Sequence, residues 1–276
     1  MTETSPLCRG LVALAAAILL LHGTPEAGGT ERTGPIQPTD SISYHLEAVP
    51  EDLEDRYTDE QLGLLEKLNR ADREGLSGLN VLVVPDRWDA RVQAHSPLPQ
   101  ALPELALRAT ALVVHQPLQV FGAYEKGRLV RWGPVSTGRR EYPTPSGLFH
   151  LNWRSRGRHS TLNPEWYMEW YFNFHNERGL SLHQYALPGE PASRACVRLL
   201  ERDARWIYDW GEQWVLDDSG QTVLEPGTPL WILEAYDFDA PPPWLDARRP
   251  HPSVDIRIEA SGSGRPAEGE GRTRER

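Results

Sequence analysis

Between residues 112 and 136 the chain runs as short apolar segments cut by turn residues, and this pattern limits the possible folds more than any other feature. The segments 112–115, 120–124, 129–132 and 134–136 are rich in β-branched and aromatic side chains, with Gln116-Pro117 and Lys126-Gly127 between them. A helix needs roughly ten or more residues to bury a face, whereas a strand needs only about four to eight. Residues 147–153 alternate as a further strand, and the turn residues Pro226 and Gly227 precede a final one ending at Leu233. The sequence therefore predicts a mainly β domain with short helices, an α+β class, over residues 105–236.

Two stretches inside this domain carry additional information. Residues 155–163 read as a basic polar loop, and strict alternation in the aromatic run 166–174 places Trp166, Met168, Trp170, Phe172 and Phe174 on one face. Tyr167, Glu169, Tyr171 and Asn173 fall on the other, so the run is either core or a stacking platform whose Tyr167 and Tyr171 line a groove. Residues 200–210 have apolar side chains at helical spacing and end at Gly211, which predicts a short amphipathic helix.

On the N-terminal side, residues 1–27 read as an export segment or an N-terminal anchor. Arg9 precedes an apolar run from Leu11 to Leu21, a length that suits a signal core better than a membrane span of roughly twenty residues. Residues 28–53 are rich in Gly, Pro, Thr, Ser and acids and read as a flexible linker. Thr58 then caps a helix whose Leu62, Leu65 and Leu68 share a face, and a short buried strand, Val81 to Val84, stops at Pro85. This helical segment, 54–104, resembles the second half of a LysM module, a glycan-binding repeat. A complete module needs a first strand that the pattern does not display, so a helical prop packed on the β domain is the reading favoured. At the other end, residues 237–276 are rich in Pro, Gly and charge and read as a largely disordered tail.

The net charge of −10 and the lack of a basic run argue against nucleic-acid binding, since nothing gathers cations to neutralise phosphates. Metal chemistry finds no signature either. Histidines 115, 150, 159, 175 and 183 form no H-E-x-x-H or His-x-His pair, so no metal ligands are assigned and no cofactor is expected. Glu165, Glu169 and Glu177 lie near the aromatic run without marking a glycosidase pair, and no G-x-S-x-G elbow is present.

The chain has two cysteines, and Cys8 lies in the leader, so a processed protein would retain Cys196 alone. A thiol with no disulfide partner in an exported protein is a reactive candidate. It follows small residues, and His183 and Arg198 are near enough in sequence to activate it, although a lone buried cysteine is also a common packing residue.

His183 followed by Ser193-Arg194-Ala195-Cys196-Val197-Arg198 resembles the active-site signature of the L,D-transpeptidases of YkuD type, a histidine ahead of a Ser-x-Gly-Cys-x-Arg run. Val135-Ser136-Thr137-Gly138 and then Thr144-Pro145-Ser146-Gly147-Leu148-Phe149 resemble the family's Ser-Thr-Gly and Thr-Pro-x-Gly-x-Phe segments. Three departures stand out: Ala195 and Gln184 occupy positions where the family commonly has glycine, and the loop from His183 to Cys196 is shorter than usual. The resemblance implies a mixed β-sandwich catalytic domain in which Cys196 is the nucleophile and His183 the base, joined as an ion pair with a lowered thiol pKa. With it, Ala195 and Ser193 are assigned to the oxyanion loop and Gln184 and Tyr185 to substrate binding, together with Tyr167 and Tyr171 from the aromatic run; Arg198 either binds a substrate carboxylate or holds the loop through an ion pair with an acid. The implied substrate is the peptidoglycan stem peptide, met in the periplasm or cell envelope, with membrane contact only through an uncleaved anchor. An L,D-carboxypeptidase with the same site and a non-catalytic wall-binding protein are the alternatives.

Overall fold

The structure, a computed structural model, describes residues 42–161 and 163–246 together with Val254, Ile256 and Ile258. The leader and most of the expected linker lie outside the described residues. Among the described residues no helix is long and apolar enough to cross a membrane.

An N-terminal module comes first. Strand β1 (Tyr44–Ala48) pairs antiparallel with β2 (Val81–Pro85), and between them run α1 (Leu53–Arg56), α2 (Asp59–Asn69) and α3 (Arg73–Ser77). The expected cap forms: Thr58 and Gln61 make reciprocal side-chain to backbone hydrogen bonds at the start of α2. Leu62, Leu65 and Leu76 pack on Leu82 and Val84. Strand β1 corrects the linker assignment, which extended to residue 53, and it places a strand ahead of the helices where the pattern displayed none. Its apolar signal is faint because only Tyr44 turns fully inward, while Leu46 is exposed.

Eleven further strands follow: β3 (Thr110–His115), β4 (Val120–Glu125), β5 (Arg128–Ser136), β6 (Gly147–His150), β7 (Arg154–His159), β8 (Tyr167–His175), β9 (Leu180–Gln184), β10 (Val197–Leu199), β11 (Val215–Leu216), β12 (Val223–Glu225) and β13 (Pro229–Leu233). Nine of them form one mixed sheet in the order β6-β13-β3-β4-β5-β10-β9-β8-β7, and β11 and β12 make a separate ribbon. The large sheet curls on itself, bringing Asn152 and Trp153, just past β6, into backbone hydrogen bonds with Asn173 of β8. The mainly β domain with short helices is thus as expected, its two layers being parts of one sheet.

Alternation along β3 explains the two cores. Leu112 and Val114 enter a cluster with Phe121, Val135, Phe172, Val197 and Leu199, closed by Ala204 and Ile207 of α4 (Glu201–Trp210). Ala111 and Val113 point the other way, toward Leu98, Leu102, Trp132 and Trp231. A sheet covered on both faces explains why its central strands look continuously apolar in sequence. Ile256 and Ile258, each 5% exposed, join this second core. They correct the reading of the tail as disordered at that point: Val254, Ile256 and Ile258 repeat with period two, a signal masked by the charged residues between them.

Two other expectations change. Residues 154–159 are strand β7 rather than a loop, because the arginines there lie over aromatic rings, with Arg156 3.8 Å from the Trp170 ring centroid and Arg158 4.9 Å from that of Tyr171. In β8 the alternation breaks. Trp170 has φ 53° and the register with β9 shifts between Glu169 and Phe172, so face parity reverses there. Trp170, Phe172 and Phe174 go to the core, while Met168 before the break and Tyr171 and Asn173 after it share the opposite side.

Candidate active site

Strand β10 sits between β5 and β9, antiparallel to the first and parallel to the second, with Arg198 in register with His183 and Val197 with Leu182. Cys196 is the residue just before β10. Its Sγ lies 3.6 Å from the Ser181 hydroxyl oxygen, two residues ahead of His183 on the same strand face. Cys196 and His183 line one cavity of about 170 Å³ together with Tyr185, Arg139, Arg194 and Arg198. A second cavity, of about 420 Å³, is lined by Trp153, Arg158, Tyr171 and Arg178. Ser160, Met168, Arg194 and Cys196 belong to both, so the thiol stands where the two meet.

The loop 185–195 that leads to Cys196 is held by the two upstream sequence motifs. Ser193 N–H donates to the Thr137 carbonyl at 3.0 Å, and Arg139 N–H donates to the Ser193 carbonyl at 3.0 Å. Ser136 Oγ donates to the Glu190 carbonyl at 2.7 Å and accepts from Ala192 N–H at 3.0 Å. Buried Thr144 accepts from Gly138 N–H at 2.8 Å and donates to the Ala195 carbonyl at 3.1 Å. A Cβ on Gly138 would come within 2.1 Å of the Tyr142 carbonyl oxygen, which explains the glycine. Ala195 has φ 71°, a left-handed conformation that glycine adopts without penalty, and this accounts for the glycine common at that position in the family it resembles.

Electrostatics at the pair follow from burial. His183 Nδ1 lies 2.9 Å from the Gln184 carbonyl oxygen, which can only accept, so Nδ1 carries the proton and Nε2 is left as the basic nitrogen. Burial pushes the imidazole down to about 4; the nearby Arg198 charge adds to this and the Gln184 carbonyl opposes it. Burial also raises the Cys196 thiol, against the hydrogen bonds from Ser181 and the charge of Arg198. Burial thus disfavours the charged form of each group, the direction opposite to that of the expected thiolate–imidazolium pair with a lowered thiol pKa.

Other assigned residues divide. Arg198 lines the first cavity, lies 4.7 Å from the Tyr185 ring centroid and donates through Nη1 to the Ala186 carbonyl at 3.2 Å; among the described residues it has no carboxylate partner. Tyr185 lines the same cavity and Tyr171 the second. Gln184 enters through its backbone carbonyl. Ser193 has its N–H and carbonyl engaged, and its hydroxyl donates to the Cys196 carbonyl at 2.6 Å, so it shapes the turn and its N–H is not an oxyanion donor. Tyr167 lies outside both linings, half exposed against His159. His159, with Nδ1 2.6 Å from the Pro164 carbonyl oxygen, and His175, packed near Phe149, also lie outside them. Sequence reasoning missed Ser181, Thr144 as a tie to the turn, and the cavity arginines Arg139 and Arg194. Arg139 directly follows one quoted motif and Arg194 lies within another, a signal that was available.

Residues 109–232 match the family model of the L,D-transpeptidase catalytic domain, YkuD. Among solved structures, an L,D-transpeptidase from Stackebrandtia nassauensis is 21% identical over 47% of this chain and 58% of its own, with a TM-score of 0.38. One from Mycobacterium smegmatis is 18% identical over 46% and 59%, TM-score 0.37. Another, from Mycobacterium tuberculosis H37Rv, is 24% identical over 56% and 72%, TM-score 0.36. The chain thus spans less than two thirds of the first of these. No curated protein matches it. The quoted motifs and the strand that follows Cys196 all lie within the matched stretch: residues 109–232 are similar to the L,D-transpeptidase (YkuD) catalytic-domain family.

Proposed function

We propose that this domain catalyses L,D-transpeptidation on peptidoglycan stem peptides, with Cys196 as the nucleophile and His183 as the base. The observation that carries the reading is the place of Cys196 at the junction of two cavities, in one of which His183 offers a basic Nε2 and Arg198 a guanidinium that among the described residues has no carboxylate partner. A donor and an acceptor can then approach the same sulfur from different sides.

The chemistry follows from neutral starting groups. Sγ bonds to the carbonyl carbon of the diaminopimelate–D-alanine amide as its proton passes to His183 Nε2, so neither charge exists alone in the buried site. The oxyanion is assigned to the left-handed turn at Ala195, with the backbone N–H groups of Ala195 and Cys196 as its donors. Collapse breaks the C–N bond, His183 returns the proton to the departing amine, and D-alanine leaves a thioester on Sγ. An amine from a second stem attacks that carbonyl, gives its proton to His183, and the sulfur departs as a thiol reprotonated by the same imidazole. Arg198 and Arg194 suit the carboxylates of such a substrate. Export is part of this reading, supported by the leader-like residues 1–27, because the substrate lies outside the cytoplasmic membrane.

Intact-mass analysis after incubation with a tetrapeptide-stem fragment or a carbapenem tests the proposal. One adduct, at Cys196, is the expected result, and its absence overturns the reading. With acceptor amine in excess, cross-linked products identify the transferase. Trimmed tripeptide stems alone identify an L,D-carboxypeptidase that uses the same residues.

A further inference from the structure

The loop 185–195 joins the strand of His183 to Cys196, and Ser136, Thr137 and Thr144 hold only one side of it. Its other side rests on the N-terminal module. Ala71 and Pro188 form an isolated antiparallel bridge, and Asp72 N–H donates to the Leu187 carbonyl at 2.9 Å. In return, Leu187 N–H donates to Asp72 Oδ2 at 2.8 Å. Ala71 and Leu187 are fully buried, and a Cβ on Gly75 would stand 2.3 Å from the Leu187 carbonyl oxygen, so the module approaches the loop as closely as a glycine permits. The other carboxylate oxygen, Oδ1, accepts from Gly75 N–H at 2.7 Å and caps α3. Asp72 therefore uses one oxygen for its own module and the other for the active-site loop.

The same module also grips the chain beyond Cys196. Lys67 Nζ lies 3.8 Å from the fully buried Asp203 and donates to the Trp132 carbonyl at 2.6 Å, while Arg202 pairs with Glu66 at 2.5 Å. Asp203 and Arg202 belong to α4, which starts shortly after β10. The segment that presents Cys196 is thus tied to one module both before and after the nucleophile.

We propose that Asp72 is a positioning residue for the reaction at Cys196. Through Leu187 its carboxylate sets the course of the loop carrying Tyr185, Arg194 and the Ala195 turn, which makes the N-terminal module a working part of the active site. The inference rests on the reading of Cys196 as the nucleophile. A loop without regular structure keeps many conformers, and a charge-assisted hydrogen bond to the backbone N–H of Leu187, near its start, restricts them.

The test compares Asp72→Ser with Asp52→Ala in the full chain. Serine is as good a helix cap as aspartate but does not reach two donors at once, so α3 keeps its cap while Leu187 loses its acceptor. Asp52 caps α1 in the same module, accepting from Glu54 and Asp55 N–H, and does not touch the loop. Acylation of Cys196 by a carbapenem is followed by intact mass over a range of concentrations, with the thermal midpoint of each variant measured alongside. Asp72→Ser should lower the maximal acylation rate at least tenfold with little change in half-saturation, and Asp52→Ala should acylate like the parent despite a comparable loss in thermal midpoint. Equal acylation by Asp72→Ser and the parent, or equal losses in both variants, overturns the proposal alone. A parent protein that forms no adduct overturns the nucleophile and this proposal with it.

Discussion

His183 donates through Nδ1 to the carbonyl oxygen of Gln184, 2.9 Å away, and this contact determines the state of the base. With that proton fixed, Nε2 can only accept, and burial keeps the ring neutral with a pKa of about 4. The loss of the family's common glycine at Gln184 does not affect the contact, because it uses the backbone.

The first prediction concerns pH. Burial disfavours imidazolium, so the acid limb of kcat/KM should fall below about pH 5, well under the ordinary histidine value of about 6.5. Burial disfavours thiolate too, so iodoacetamide alkylation of Cys196 should climb only above the ordinary thiol range, without a plateau at low pH. A plateau of alkylation near neutrality would mean that the ion pair exists after all.

Cys196→Ser should fold normally and lose at least about a thousandfold in D-alanine release, since a hydroxyl here ionises far less readily than a thiol. Release by the serine variant at the parent rate would remove Cys196 from the chemistry. His183→Gln should cost about 10²- to 10⁴-fold, the usual contribution of a general base.

Thr144→Val keeps the side-chain volume but strands Gly138 N–H and the Ala195 carbonyl, both partnered only through the lost hydroxyl in this part of the loop. A cost of about 2–5 kcal/mol is expected from two buried groups left unpaired, measured by urea denaturation. Acylation of Cys196 should slow in the same variant.

Gly138 and Ala195 should respond in opposite ways. Gly138→Ala forces a methyl against the Tyr142 carbonyl and Thr144 N–H and should destabilise by more than about 3 kcal/mol or prevent folding. Ala195→Gly removes a left-handed penalty of about 1 kcal/mol and a buried methyl worth about 0.8 kcal/mol, so its stability should stay within about 0.5 kcal/mol of the parent. Thermal midpoints of the two variants decide this.

Arg198→Gln should raise KM for a stem peptide about tenfold or more with a smaller effect on kcat, because the guanidinium lines the cavity and among the described residues has no carboxylate to release. A fall in kcat alone would place Arg198 with the turn instead of the substrate.

Much of this protein is determined locally. The short apolar segments after residue 110, the cap at Thr58, the amphipathic pattern of α4, and the two motifs around Ser136 and Cys196 are all readable from neighbours a few residues apart, where propensity and periodicity act. What the tertiary structure alone decided depends on contacts distant in sequence. Strand β1 takes its identity from pairing with β2, and Ile256 and Ile258 take theirs from a core already built by β3, β4 and β5. The reversal of parity at Trp170 comes from a register shift against β9, which no alternation rule anticipates. An acidic chain of charge −10 gathers Arg139, Arg194 and Arg198 at one cavity, although net charge gives no hint of it. Sequence spacing brought His183 near Cys196, but the direction in which each group shifts is set by its burial among the surrounding strands. Desolvation is a property of the whole packed site, so it has no signature in any one segment.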